Sequence, residues 1–224
     1  ESGVAAVGDA LEWFVKSCVP ASYYEQAREK GLDIYQYLTE LAGKVDPGKS
    51  RVLALDWFNG NKTPYVNTDL TGSLAGLTLQ TKPEEIFRAL IEATAFDARQ
   101  ILEIMERSEA EVRIREVTAS GGIAGKNPLI LQIYADILQR PVKVAAEPQT
   151  AALGSAIYAA LAAGKAAGGY DSYREAVNAM SRVRDTVYMP GEEYREIYNS
   201  KYGNYQRYGA WMDTFHRREG GDGL

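Results

Sequence analysis

The chain has 224 residues, 46% hydrophobic and 25% charged, a composition that can bury one large or two small cores. Its formal net charge of −5 supplies no basic field of the kind that draws nucleic acid or an anionic membrane, so neither is expected as a partner. Cys18 is the single cysteine and His216 the single histidine, which excludes an internal disulfide, a Cys/His zinc cluster and any Ser-His-Asp triad not built on His216.

In chain order, residues 4–7 read as a short strand, after which Asp9 caps a helix whose Leu11, Phe14, Val15 and Cys18 share one face. Pro20 ends that helix. Helical pieces follow around YYEQAREKG and DIYQYLTELAGKV, closed by Gly31 and Gly43, then a turn at DPGK. RVLALDW is a β-rich run, NGNKTP holds the turn dipeptide Asn59-Gly60, and residues 73–79 alternate as a second strand. The longest helix starts at Thr81, where Thr81 and Glu84 have capping-box spacing with Pro83 in the first turn, and keeps its period through Arg107. Asp97 interrupts its apolar face and is expected to bond to neighbouring backbone or to an arginine.

A strand over 113–119 precedes SGGIAGKN, then come a helix from Pro128 to Leu138, a strand at VKVA and an alanine-rich helix from Thr150 to Ala163 closed by Gly164. This alternation predicts an α/β layered domain. From about 171 to 215 a helical tail is expected, with Tyr194, Tyr198, Tyr202, Tyr205 and Tyr208 lining one helix face for packing on the body. The small-residue run Ala151 to Gly164, broken by Ser155, falls short of the ~20 residues that span a bilayer. A lone thiol suits a reducing, cytoplasmic setting, and a chain opening at Glu1 reads as an excised C-terminal domain.

SGGIAGKN, residues 120–127, carries neither of the common phosphate-loop spellings. Ser120 and Asn127 stand where a Walker A loop needs glycine and a hydroxyl, and the spacing of Gly121, Gly122 and Gly125 does not give G-x-G-x-x-G. What remains is a strand running into two glycines and delivering Asn127 as N-cap with Pro128 at the first helical position. Two readings stand at this point. Either the glycines make a tight turn, or their missing side chains leave a flat patch for a ribose or purine with N–H groups turned to phosphate.

SGGIAGKNPLILQIYADILQRPV followed by EPQTAALGSAIYAAL resembles the nucleotide-side domain of the FGGY carbohydrate kinases, and GSLAGLTLQTKPEEIFRALIE, Gly72 to Glu92, resembles the family's other signature through Gly72, Gly76, Glu85 and Glu92. Within that family ALDWFNGNKTP is most like the ribulokinase branch. The resemblance implies an actin-like, ribonuclease-H-like ATPase domain, a mixed sheet flanked by helices, forming residues 1–224 of a two-domain enzyme whose N-terminal domain is absent from this chain. It further implies transfer of the γ-phosphoryl of ATP, with Mg²⁺, to a ketopentose such as ribulose, with xylulose, glycerol or another polyol as alternatives and a non-enzymatic nucleotide-gated protein of the same fold as another. By motif position Gly121 and Gly122 lie against the nucleotide, Lys126 and Asn127 beside adenine, and Gly8 near the phosphates with Glu12 next to it. Glu1 falls at a sugar-facing carboxylate, and the general base belongs to the missing domain, the chain's implied partner. Homodimerisation is left open.

Overall fold

The computed structural model describes residues 2–4, 6–108, 112–122 and 127–219, with only the backbone of 218 and 219. The chain divides into two compact units, Glu1–Ile114 with Asp136–Gln139 and Pro190–Leu224, and Arg115–Ala135 with Arg140–Met189.

The first unit is built around one helix. It contains α1 (Val7–Cys18), α2 (Ala21–Glu29), α3 (Ile34–Ala42), the antiparallel pair β1 (Leu53–Leu55) and β2 (Ser73–Ala75), α4 (Pro83–Ser108) and α8 (Arg195–Glu219). From Phe87 to Asp97 every residue of α4 is buried. Helices α1, α3 and α8 and strand β1 all pack on it. A helix covered on all sides cannot keep polar groups without partners, so Arg88, Glu92, Thr94 and Asp97 within that stretch each require one. Phe14, Tyr198 and Tyr205 set their rings against Phe87 and Phe96 of α4, and with Leu38, Leu55 and Trp57 they are among the most buried side chains.

Local chemistry sets the helix ends. Asp33 caps α3 in a closed capping box, its Oδ1 accepting from Gln36 N at 2.8 Å while Gln36 Oε1 accepts from Asp33 N at 3.0 Å. The expected box at Thr81 and Glu84 does not form. Thr81 Oγ1 instead accepts from Thr78 N at 2.8 Å, and Glu85 Oε1 accepts from Lys82 N at 3.1 Å, so the helix entry sits one residue later, with Pro83 first. Glu84 is taken by the Tyr23 phenol, which donates at 2.7 Å. The strand expected over 4–7 is also corrected: Val7 already belongs to α1, Ala6 holds φ 64 at its entry, and Asp9 lies in the first turn rather than at the cap. Strand pairing covers only 73–75 and 117–119 of the two longer runs expected, because partner strands exist only there.

The second unit carries a three-stranded mixed sheet in the order β3 (Val117–Ala119), β4 (Val142–Ala145), β5 (Val183–Tyr188), with β3 parallel to β4 and β5 antiparallel to it. Helix α5 (Pro128–Leu138) connects β3 to β4. After β4 come α6 (Thr150–Ala163) and α7 (Tyr173–Met180), which pack on each other. Strand β5 corrects the reading of the tail as helical from about 171: VRDTVY pairs with β4 before the last helix begins at Arg195.

Tyr198, Tyr202 and Tyr205 of α8 do pack on the body as expected. Their ring centroids lie 6.3, 5.9 and 5.4 Å from that of Phe96 on α4. Tyr208 instead stacks on Trp211 of its own helix.

Candidate functional site

In the second unit β3 ends at Ala119 and the chain turns at Gly121, whose φ of 90° lies in the left-handed region that glycine enters without strain. A Cβ built on Gly121 or on Gly122 would meet nothing within 4 Å among the described residues, and both residues are exposed. Toward the described residues the turn is therefore bare main chain. Ser120 Oγ accepts from Thr150 Oγ1 at 3.2 Å, tying the strand's exit to the start of α6. Asn127 caps α5 as expected, its Oδ1 accepting from Ile130 N at 3.2 Å with Pro128 in the first helical position.

In the first unit Gly8 is exposed in the first turn of α1, which no side chain among the described residues caps. Uncapped N–H groups at such an end suit an anion. Glu12 lies one turn on, exposed and paired with Lys16 at i,i+4, a contact that water screens strongly. Glu1 and Lys126 lie outside the described residues. A cavity of about 640 Å³ in this unit is lined by Ser50, Arg51, Glu196, Ser200, Lys201 and Asn204 among others, and none of the residues expected to bind nucleotide lines it.

Sequence reasoning missed two buried polar clusters on α4. In the first, Arg88 Nε donates to Glu92 Oε1 at 2.9 Å, Arg88 Nη2 donates to Tyr198 Oη at 2.8 Å, and Lys201 Nζ donates to Glu92 Oε2 at 2.5 Å. Glu92, one of the acidic residues of the Gly72 to Glu92 signature, is thus engaged in holding α8. The i,i+4 spacing of Arg88 and Glu92 was the available signal.

In the second, Asp97 receives no arginine. Its Oδ1 accepts a long hydrogen bond from Asn61 Nδ2 at 3.4 Å, and it feels the charge of Asp56, which closes β1. Burial first, then the Asp56 charge, pushes the Asp97 carboxyl up to about 8, and burial pushes Asp56 up to about 6 against the hydrogen bonds it accepts. Asp56 Oδ1 accepts from the Tyr205 phenol at 3.2 Å, while its buried Oδ2 has no hydrogen-bond partner among the described residues.

The model of the FGGY family of carbohydrate kinases, C-terminal domain, matches residues 1–163. Curated relatives include the ribulokinase of Bacillus licheniformis, 47% identical over 92% of this chain and 37% of that protein, and that of Halalkalibacterium halodurans, 49% identical over 92% and 36%. Among solved structures the xylulose kinase from Rhodospirillum rubrum is 28% identical with a TM-score of 0.74, covering 93% of this chain and 38% of its own. The gluconate kinase from Lactobacillus acidophilus, 20% identical with a TM-score of 0.75, shares the fold. The chain therefore spans a little over a third of the length of the curated relatives it matches. No described helix is long and apolar enough to cross a membrane. The expected α/β, actin-like fold is the one found, and a kinase family implies ATP and a sugar as its substrates. Matched over nearly three-quarters of its residues, the chain belongs to the FGGY family of carbohydrate kinases, in the part that forms their C-terminal domain.

Proposed function

We propose that the whole protein is an ATP-dependent ribulose kinase, and that this region supplies the seat for adenosine. The observation that carries the reading is the open main-chain patch at Gly121 and Gly122 in a chain nearly half identical to ribulokinases. A side chain at either position would fill the space that a ribose or purine needs, so the residues present fit a nucleotide. Gly121 and Gly122 give it a flat floor. Asn127 fixes the direction of α5 beside it, and Lys126 or Asn127 meets the base. To Gly8, in the first turn of α1, and to Glu12, one turn on, the reading assigns contacts near the phosphates. Glu1 accepts sugar hydroxyls, donors that pair well with a carboxylate.

Bound ATP with Mg²⁺ supplies the transferable phosphoryl group and the charge neutralisation that phosphoryl transfer requires. The general base, the remaining phosphate contacts and much of the sugar pocket come from an N-terminal domain. A micromolar nucleotide site corresponds to about −8 kcal/mol, more than one glycine patch and one helix end provide, so this region alone binds ADP weakly and phosphorylates nothing. The protein works in the cytoplasm, where its ATP is made. The test is ADP release by the full chain with ATP and a panel of ribulose, xylulose, glycerol and gluconate. Turnover fastest with ribulose supports the reading. Preference for another sugar moves it to a different member of the family, and no sugar-dependent turnover removes it.

A further inference from the structure

The buried acid pair of the first unit is used by none of the chemistry above. Asp56 closes β1, Asp97 lies on α4, and each is 2% exposed. Two elements bring polar groups to them: Asn61 and Tyr65 from the segment between β1 and β2, and Tyr205 from α8. Among the described residues none of the groups acting on either carboxyl is a cation. The contrast with Glu92, five positions earlier on the same helix and held by both Arg88 and Lys201, is direct.

We propose that the buried, cation-free pair Asp56 and Asp97 is a latch: two uncompensated charges in the core loosen the second half of α8 from α4 and β1. The release falls on that half for geometric reasons. The first half is tied down by Tyr198 and Lys201 on the Arg88–Glu92 pair. The second half depends on Tyr205, whose phenol donates to Asp56 itself, and on close packing of Gly209, where a Cβ would come within 3.0 Å of the Trp57 ring. Asp213, one turn beyond Gly209, is paired through Oδ2 with Arg217 Nε at 2.9 Å, and its buried Oδ1 has no hydrogen-bond partner among the described residues. Water entering between α8 and β1 would hydrate Asp56 and Asp97 together, whereas water at the Arg88–Glu92 end would only replace contacts already made. Burial raises both carboxyls, and the Asp56 charge raises Asp97 further, which is the direction the latch requires.

The test is hydrogen exchange of the full chain, read on α8 amides from Tyr202 to Met212 and corrected for the intrinsic pH dependence of exchange. Protection there is expected to fall as pH rises from about 5 to about 8, by up to roughly tenfold per pH unit for each proton linked to opening. It should then level off. Amides of α1 and of α8 before Tyr198 should stay better protected than those from Tyr202 to Met212 at every pH. Asp97→Asn, which preserves shape and acceptance from Asn61, is expected to flatten the dependence, and Asp56→Asn to do the same should the first variant fail to fold. An unchanged pH dependence in a folded variant would overturn the latch. So would protection lost equally across α1, α4 and α8, which would mark global unfolding, or α8 protection in the parent chain that ignores pH.

Discussion

Lys201 on the terminal helix donates to Glu92 in the middle of α4, a contact that joins residues 109 positions apart and is buried at its acidic end. Arg88 and Tyr198 complete the shell around the same carboxylate. Breaking such a cluster leaves buried charge uncompensated. Glu92→Gln is therefore expected to lower the stability of the full chain by about 3 kcal/mol, seen as a lower denaturant midpoint. A change within a few tenths of a kcal/mol would mean that α8 is held by its rings alone.

Gly122 separates steric from backbone effects at the adenosine seat. Gly121 has a positive φ, so any side chain there also strains the turn; Gly122 is not among the positive-φ glycines, and a Cβ on it meets nothing within 4 Å. Gly122→Val should leave the thermal midpoint near its parent value while raising the ADP dissociation constant of the full chain tenfold or more, about 1.4 kcal/mol or above. Calorimetric titration measures it. Parent-like affinity in the folded variant would move the nucleotide elsewhere.

Features with a local cause were legible in the sequence. Asn127-Pro128, Gly164 at the end of α6 and Tyr198, Tyr202 and Tyr205 of α8 follow from the chemistry of caps and from helical spacing, and each stands where the spacing put it, whereas Tyr194 precedes the helix and Tyr208 stacks on Trp211. The Gly121-Gly122 patch was visible as a pattern, but that it is bare toward the described residues is a property of three dimensions. The failures share a cause. Residues 4–7 are too short a run for period to separate strand from helix entry, and VRDTVY was masked by tyrosines that follow it at helical spacing. Asp56 and Asp97 come together only because β1 packs on α4, and nothing local in ALDWF or ATAFDAR announces that packing.

The same pair gives the whole molecule a pH dependence whose sign follows from proton binding. Both carboxyls are raised in the fold above their ordinary range, so the folded chain holds protons that the unfolded chain has released. Their contribution is complete below about pH 4 and is lost as pH rises toward about 8. Asp97→Asn should consequently be more stable than the parent at alkaline pH, by at least about 1 kcal/mol, with the advantage shrinking toward acid. Thermal melts of both chains across pH measure the crossing. An Asn variant less stable at every pH would show that Asp97 is ionised and stabilised in the fold.

Two glycines on α8 should respond to alanine in opposite ways. Gly203 and Gly209 both lie in the helix interior, where glycine costs roughly 0.5–1 kcal/mol relative to alanine. At Gly203 a Cβ meets nothing within 4 Å, so Gly203→Ala should raise the stability of the full chain by about that amount. At Gly209 a Cβ would stand 3.0 Å from Trp57 Cη2 and 3.1 Å from the Tyr65 phenol oxygen. Trp57 is 1% exposed and packed against Tyr65 at 5.1 Å, so its ring has nowhere to move. The overpacking penalty of roughly 1–3 kcal/mol then exceeds the helical gain, and Gly209→Ala should lower the melting temperature. Equal stabilisation by both substitutions would show that α8 sits farther from Trp57 in solution, which would also weaken the close packing on which the proposed latch depends.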